Sequence, residues 1–105
     1  MKFISFTTYT IDKLTEVAKA ADKIAKNPPE GYNLLAMYSC QANPFPGIEL
    51  PPGTMVTVSI VECENAEAMA AANLELLFAG ATVNRIPVME ISTGEAEGTV
   101  KKLKT

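Results

Sequence analysis

The sequence predicts an α+β domain, a four-stranded antiparallel sheet with two helices on one face. Three observations lead there. Four stretches are rich in β-branched and aromatic residues or alternate with the two-residue period of a strand. Two stretches carry apolar residues at helical spacing. The six fall in the order β-α-β-β-α-β along 105 residues, a length that holds one core.

Residues 2–9 (KFISFTTY) form the first predicted strand, with Ile4, Phe6 and Thr8 on one face and Phe3, Ser5, Thr7 and Tyr9 on the other. Thr10 stands where an N-cap belongs, and Ile11, Leu14, Val17, Ala18, Ala21, Ile24 and Ala25 follow at helical spacing. Asn27-Pro28-Pro29 stops that helix, because a residue before proline resists the α conformation. Residues 32–41 form a second strand. Residues 42–53 (ANPFPGIELPPG) form a loop holding four of the seven prolines. Its Phe45, Ile48 and Leu50 need cover, so it is expected to fold over a pocket entrance or a partner subunit. Residues 54–64 alternate most regularly, with Val56, Val58 and Ile60 on one side and Thr57, Ser59 and Val61 on the other. Asn65 caps a helix over 66–79 whose inner stripe is Met69, Ala72, Asn73, Leu76 and Leu77, and Gly80 ends it. Residues 82–91 form the fourth strand. The domain thus spans 1–91, and 92–105 is a polar C-terminal tail ending in Lys101, Lys102 and Lys104.

Right-handed crossovers in two β-α-β units give a ferredoxin-like sheet with the first and third strands central. The fourth strand is then an edge, which suits Pro87, since proline cannot donate a ladder hydrogen bond. Two helices cover one sheet face, and the other should read polar if it meets water. Large apolar residues fall on both instead: Phe3 and Tyr9 against Ile4 and Phe6, Leu35 and Met37 against Leu34 and Tyr38, Met89 and Ile91 against Ile86 and Val88. Covering such a patch is worth roughly 10 kcal/mol before association costs. A second copy packed sheet to sheet, a two-fold homodimer, is the expected partner.

Composition removes whole classes of chemistry. Histidine is absent, so His-based acid–base catalysis, Ser-His and Cys-His nucleophiles and the commonest zinc ligand are unavailable. There is no dinucleotide-binding glycine motif, P-loop or Cys-x-x-Cys, and neither a metal nor a cofactor is expected. A net charge of −3 argues against nucleic acid. No apolar run is long enough to span a bilayer and no leader pattern opens the chain, so no membrane partner and a cytoplasmic location are expected.

With these elements in place, the chain resembles the dimeric α/β-barrel superfamily, in which two ferredoxin-like subunits close their sheets into one barrel. Within it, the sequence is most similar to a small prokaryotic family of unknown function. The matching stretches are Pro29-Glu30-Gly31, Val61-Glu62-Cys63-Glu64-Asn65 and Ile86-Pro87-Val88, and the likeness covers residues 1–91. The resemblance implies a dimer and a cavity near the sheet. Better-known members include cofactor-independent quinone-forming monooxygenases, haem-degrading monooxygenases, muconolactone isomerase and stress-responsive barrel proteins. The haem-degrading type uses an axial histidine, which this chain lacks.

Four residues are the candidates for contact with a small apolar or aromatic ligand: Tyr9, Tyr38, Asn73 and Arg85. Arg85, the one arginine, can hold a carboxylate or enolate oxygen, or pair with Glu62, Glu90 or a partner chain. Tyr9 and Tyr38 stand ahead of Tyr32 as phenolic donors, being within strands or at their ends, although each is equally suited to a core. Asn73 interrupts an apolar stripe and so needs a backbone, water or ligand partner. Cys40 and Cys63 fall near opposite ends of a hairpin, too far apart for a disulfide. A non-catalytic ligand-binding protein, a cofactor-independent monooxygenase or isomerase, and a structural interaction module all remain open.

Overall fold

A computed structural model describes residues Met1–Thr105. The elements are β1 (Lys2–Thr10), α1 (Leu14–Lys26), β2 (Tyr32–Ser39), β3 (Thr54–Cys63), α2 (Ala66–Phe78), β4 (Thr82–Val88) and α3 (Ala96–Lys104). The sheet order is β2-β3-β1-β4, with every neighbouring pair antiparallel. This is the ferredoxin-like α+β arrangement: β1 and β3 are central, and β4, with Pro87, is an edge.

The caps explain why α2 sits where it does. The Asn65 side chain accepts a 2.8 Å hydrogen bond from Ala68 N. At the other end Gly80, at φ +99°, donates to Leu77 O, and Ala81 N donates to Leu76 O, which together make a Schellman closure. Gly31, at φ +89°, occupies the third position of a turn closed by Tyr32 N donating to Pro29 O at 3.0 Å. A Cβ on Gly31 would stand 2.9 Å from the Asn65 amide, so the turn before β2 and the cap of α2 are packed together.

Several local features depart from the periodicity. The first helix opens with a 3-10 turn, Ile11–Lys13, and the Thr10 side chain donates to the Asp12 carboxylate instead of capping the backbone. In β2, Leu34 pairs with Val61 but Ala36 pairs with Ile60, so one residue bulges out. The bulge reverses the alternation that follows and brings Met37 opposite Ser59, on the same face as Leu34. On α2 the buried line is Ala68, Ala72 and Leu76, while Leu77 is half exposed. Residues 96–104 of the polar tail form α3, none of whose residues is buried.

The register gives the sheet two unlike faces. Phe3, Ser5, Thr7 and Tyr9 of β1, Thr57, Ser59 and Val61 of β3, and Val83 and Arg85 of β4 lie on the helix side. There Val17, Ala20 and Ile24 of α1 and the buried line of α2 close the core, and Lys23 and Glu75 bridge the two helices at 2.9 Å. The reverse face carries Ile4, Phe6, Val58, Ile60, Ile86 and Val88 with no helix over it. Only 15 of 105 residues are buried, and the radius of gyration is 15.6 Å, against ~13 Å for a compact chain of this length. The molecule is therefore a thin two-layer slab with one side uncovered.

The Pro-rich loop folds onto that uncovered side. Phe45 packs against Phe6 with ring centroids 5.3 Å apart, and Leu50 and Pro51 line a shallow pocket together with Val56. None of its residues lines the cavity described below, so the expectation of a lid over a pocket entrance is corrected: its aromatic found cover on the open sheet instead.

Candidate functional site

A cavity of about 260 Å³ lies between the helix-side face of the sheet and α1. Leu14, Val17, Ala21 and Ile24 of α1, Leu34 and Met37 of β2, Met55 of β3 and Leu76 of α2 form apolar walls. The bulge in β2 is what turns Met37 toward this side. The polar lining comes from the strands: Tyr9, Thr57, Ser59, Tyr32 and Arg85. Tyr9 Oη and Thr57 Oγ1 are 3.1 Å apart across β1 and β3. Asp, Glu, Lys and Cys are absent from the lining.

Arg85 organises the polar end. Its place in β4 opposite Ser5 sends it inward, beneath α2. Nε donates to Asn73 Oδ1 at 2.7 Å. Nη1 donates to Ser5 Oγ at 2.7 Å and to Tyr32 Oη at 3.0 Å. The guanidinium also lies 5.4 Å from the Tyr32 ring centre, a cation–π distance. Nη2 is buried and has no hydrogen-bond partner. None of the ion pairs involves Arg85; Glu90, one of its expected partners, sits 3.6 Å from Lys2 instead. A cation enclosed with only neutral partners is costly, because burial removes hydration that no opposite charge replaces. Burial also pushes the Tyr32 phenol above its ordinary range, against the opposing pull of the Arg85 charge, so Tyr32 is a neutral O–H donor at neutral pH.

The four candidates from sequence are thus distributed unequally. Tyr9 and Arg85 line the cavity. Asn73 lies outside it and holds Arg85 from α2, so its partner is a guanidinium rather than backbone or water. Tyr38 borders the mouth and is 63% exposed. Tyr32 and Ser5 escaped selection, Tyr32 because it is the first residue of its strand and Ser5 because nothing about a serine between Ile4 and Phe6 distinguishes it; the pairing of Ser5 with Arg85 across β1 and β4 is what reveals both. Cys40 and Cys63 are free thiols; Cys40 N bonds Val56 O, about 23 Å along β3 from Cys63 at ~3.3 Å per residue. No group of three or more His, Cys, Asp or Glu side chains could hold a metal. No helix is long and apolar enough to cross a membrane.

Fold and site together define a ferredoxin-like α+β protein with a small apolar cavity between sheet and helix and a half-buried arginine at its polar end. An X-ray structure of prephenate dehydratase from Streptococcus mutans is similar, with a TM-score of 0.51 and 21% sequence identity over 80% of this chain and 40% of that chain. At that identity the likeness is one of fold, and this chain spans less than half the length of the dehydratase. The sequence matches no protein-family model and no curated protein.

Proposed function

We propose that this protein binds a small apolar or aromatic molecule between its sheet and α1, and that it does so as a homodimer joined through the open sheet faces, in the manner of the dimeric α/β barrels its sequence resembles. The cavity carries the reading: its α1 and α2 walls are wholly aliphatic, and its hydroxyls and single guanidinium all come from the strands, so polar groups converge from one side, the usual make-up of a small-molecule site. The apolar reverse face supports the dimer: Ile4, Val58 and Ile60 are only partly buried and Ile86 is half exposed, in one patch beside the Phe6 that Phe45 covers.

The test is thermal denaturation of the purified protein with a panel of aromatic and short aliphatic compounds. A ligand present at 100 times its Kd should add ~2.7 kcal/mol and raise the melting temperature by several degrees. A panel that leaves the melting temperature unmoved overturns the reading.

A second reading, a cofactor-independent monooxygenase or isomerase, is favoured by one observation. A neutral phenol and a guanidinium stand together beside an apolar cavity, as oxyanion stabilisation requires. Against it, the lining has no carboxylate, amine or thiol to take a proton. Ligand stabilisation with no consumption of the ligand separates binding from catalysis.

A further inference from the structure

The hydrogen bonds around Arg85 are out of balance, and the imbalance has a sign. Ser5 Oγ and Tyr32 Oη each accept from Nη1. Neither hydroxyl donates its own proton to any acceptor in the structure. Nη2 adds donors with no acceptor at all. Asn73 is already turned with its oxygen toward Nε. The cluster therefore has donors to spare, one positive charge and no anion within ion-pair distance. The cluster lacks an acceptor, and because no carboxylate of the chain pairs with Arg85, an anionic acceptor would also offset its charge.

Resting on the reading that the cavity takes a small apolar molecule, we propose that its ligand is a monocarboxylic acid whose carboxylate is held by Arg85 and whose apolar body lies against α1. A carboxylate has two oxygens to accept from the Arg85 guanidinium and from the Tyr32 hydroxyl, residues that both line the cavity, and the planar guanidinium suits a carboxylate better than any other side chain does. The charge argues for one carboxylate and against a phosphate dianion: Arg85 neutralises a single charge, and a second would stand unpaired among Leu34, Met37 and Met55. The volume limits the body. About 260 Å³ lies just under the ~300–1,000 Å³ of drug-sized sites, enough to enclose one ring or a short branched chain. Asn73, Ser5 and Tyr32 act as positioning residues for the guanidinium and, in the last case, as a second donor to the ligand.

The experiment compares acids with their own amides. Phenylacetate, hexanoate and isovalerate, each beside its carboxamide, are titrated into the protein at pH 7 by calorimetry, with inorganic phosphate as a fourth anion. The expected result is at least one acid that binds about tenfold or more tighter than its amide, the size of a charge-assisted hydrogen bond lost in a buried site. Phosphate should not compete. Arg85→Met should erase the preference for acid over amide, the acid losing far more affinity than the amide, since the apolar walls remain. If that variant does not fold, Arg85→Lys, which keeps the charge but loses the planar fork, should weaken the acid alone. Amides that bind as well as acids overturn the carboxylate assignment and leave the apolar cavity standing. Phosphate competing as strongly as the acids overturns the monocarboxylate. No binding by any acid or amide overturns the assignment and the cavity reading together.

Discussion

The two faces of one sheet each depart in part from the usual division of labour, although the core itself lies on the covered one. The covered face holds the polar side chains Ser5, Thr7, Ser59 and Arg85, the first three of them buried. The uncovered face holds Ile4, Phe6, Val58, Ile60 and Ile86. A sheet built for stability alone would put the polar set in water and the apolar set under the helices. Each inversion has a cost, the first in desolvation and the second in exposed apolar surface. What the difference teaches is that the two costs call for different remedies: on the proposed reading, an anionic ligand for the covered face and a second apolar surface for the open one.

Breaking the open face should have the largest effect. Ile60→Lys, on the central strand β3, places an ammonium in the proposed subunit contact and should weaken the homodimer by more than about 100-fold. Sedimentation equilibrium checks it: the parent should run at twice its 11.2 kDa chain mass, and the variant at the single mass. A parent that stays at the single mass ends the proposed dimer.

On the covered face, Leu76→Ala removes a residue that closes the core and also walls the cavity. It should cost ~2–4 kcal/mol in denaturant unfolding, with partial collapse of the site moderating the loss. Gly31→Ala should cost roughly 1–3 kcal/mol, because it strains a φ of +89° and drives a methyl toward the Asn65 amide. Asn65→Ala, which loses only the cap bond to Ala68 N, should cost ~1 kcal/mol. If the turn and the cap are one packed unit, the double variant should cost less than the sum of the two.

The smallest effect reports on the arginine cluster itself. Ultraviolet titration should show one of the three tyrosines ionising above the ordinary value near 10. Because the folded phenol keeps its proton to higher pH than the unfolded one, its contribution to stability is complete below pH ~10 and is lost as pH rises through the folded value. Arg85→Met should move that ionisation higher still, since the arginine opposes the effect of burial.

How far these residues were legible depends on the distance over which their signals act. The Asn65 and Gly80 caps, the edge position of Pro87 and the apolar character of both sheet faces are local or follow from strand order, and the structure has the caps and the edge where the sequence places them. The β2 bulge was not legible: one extra residue leaves composition unchanged, and it shows only when Leu34 and Ala36 are matched to consecutive residues of β3. The Pro-rich loop was read as needing cover, but which surface it covers depends on Phe6, far away in the chain.

By itself the sequence determined the order of the four strands and the two packed helices, the Asn65 cap and Gly80 stop of the second helix, and that Arg85 would be alone as an arginine among apolar neighbours, but not the 3-10 opening after Thr10 or the helix in the tail. Periodicity and capping act within a few residues, so they survive in one dimension. Only the tertiary structure decided that Arg85 meets Ser5, Tyr32 and Asn73, partners drawn from β1, β2 and α2, and that no carboxylate joins them. That outcome rests on antiparallel register and on how α2 lies over the sheet, and a buried charge takes its meaning from whichever distant groups those two settings bring within hydrogen-bond reach.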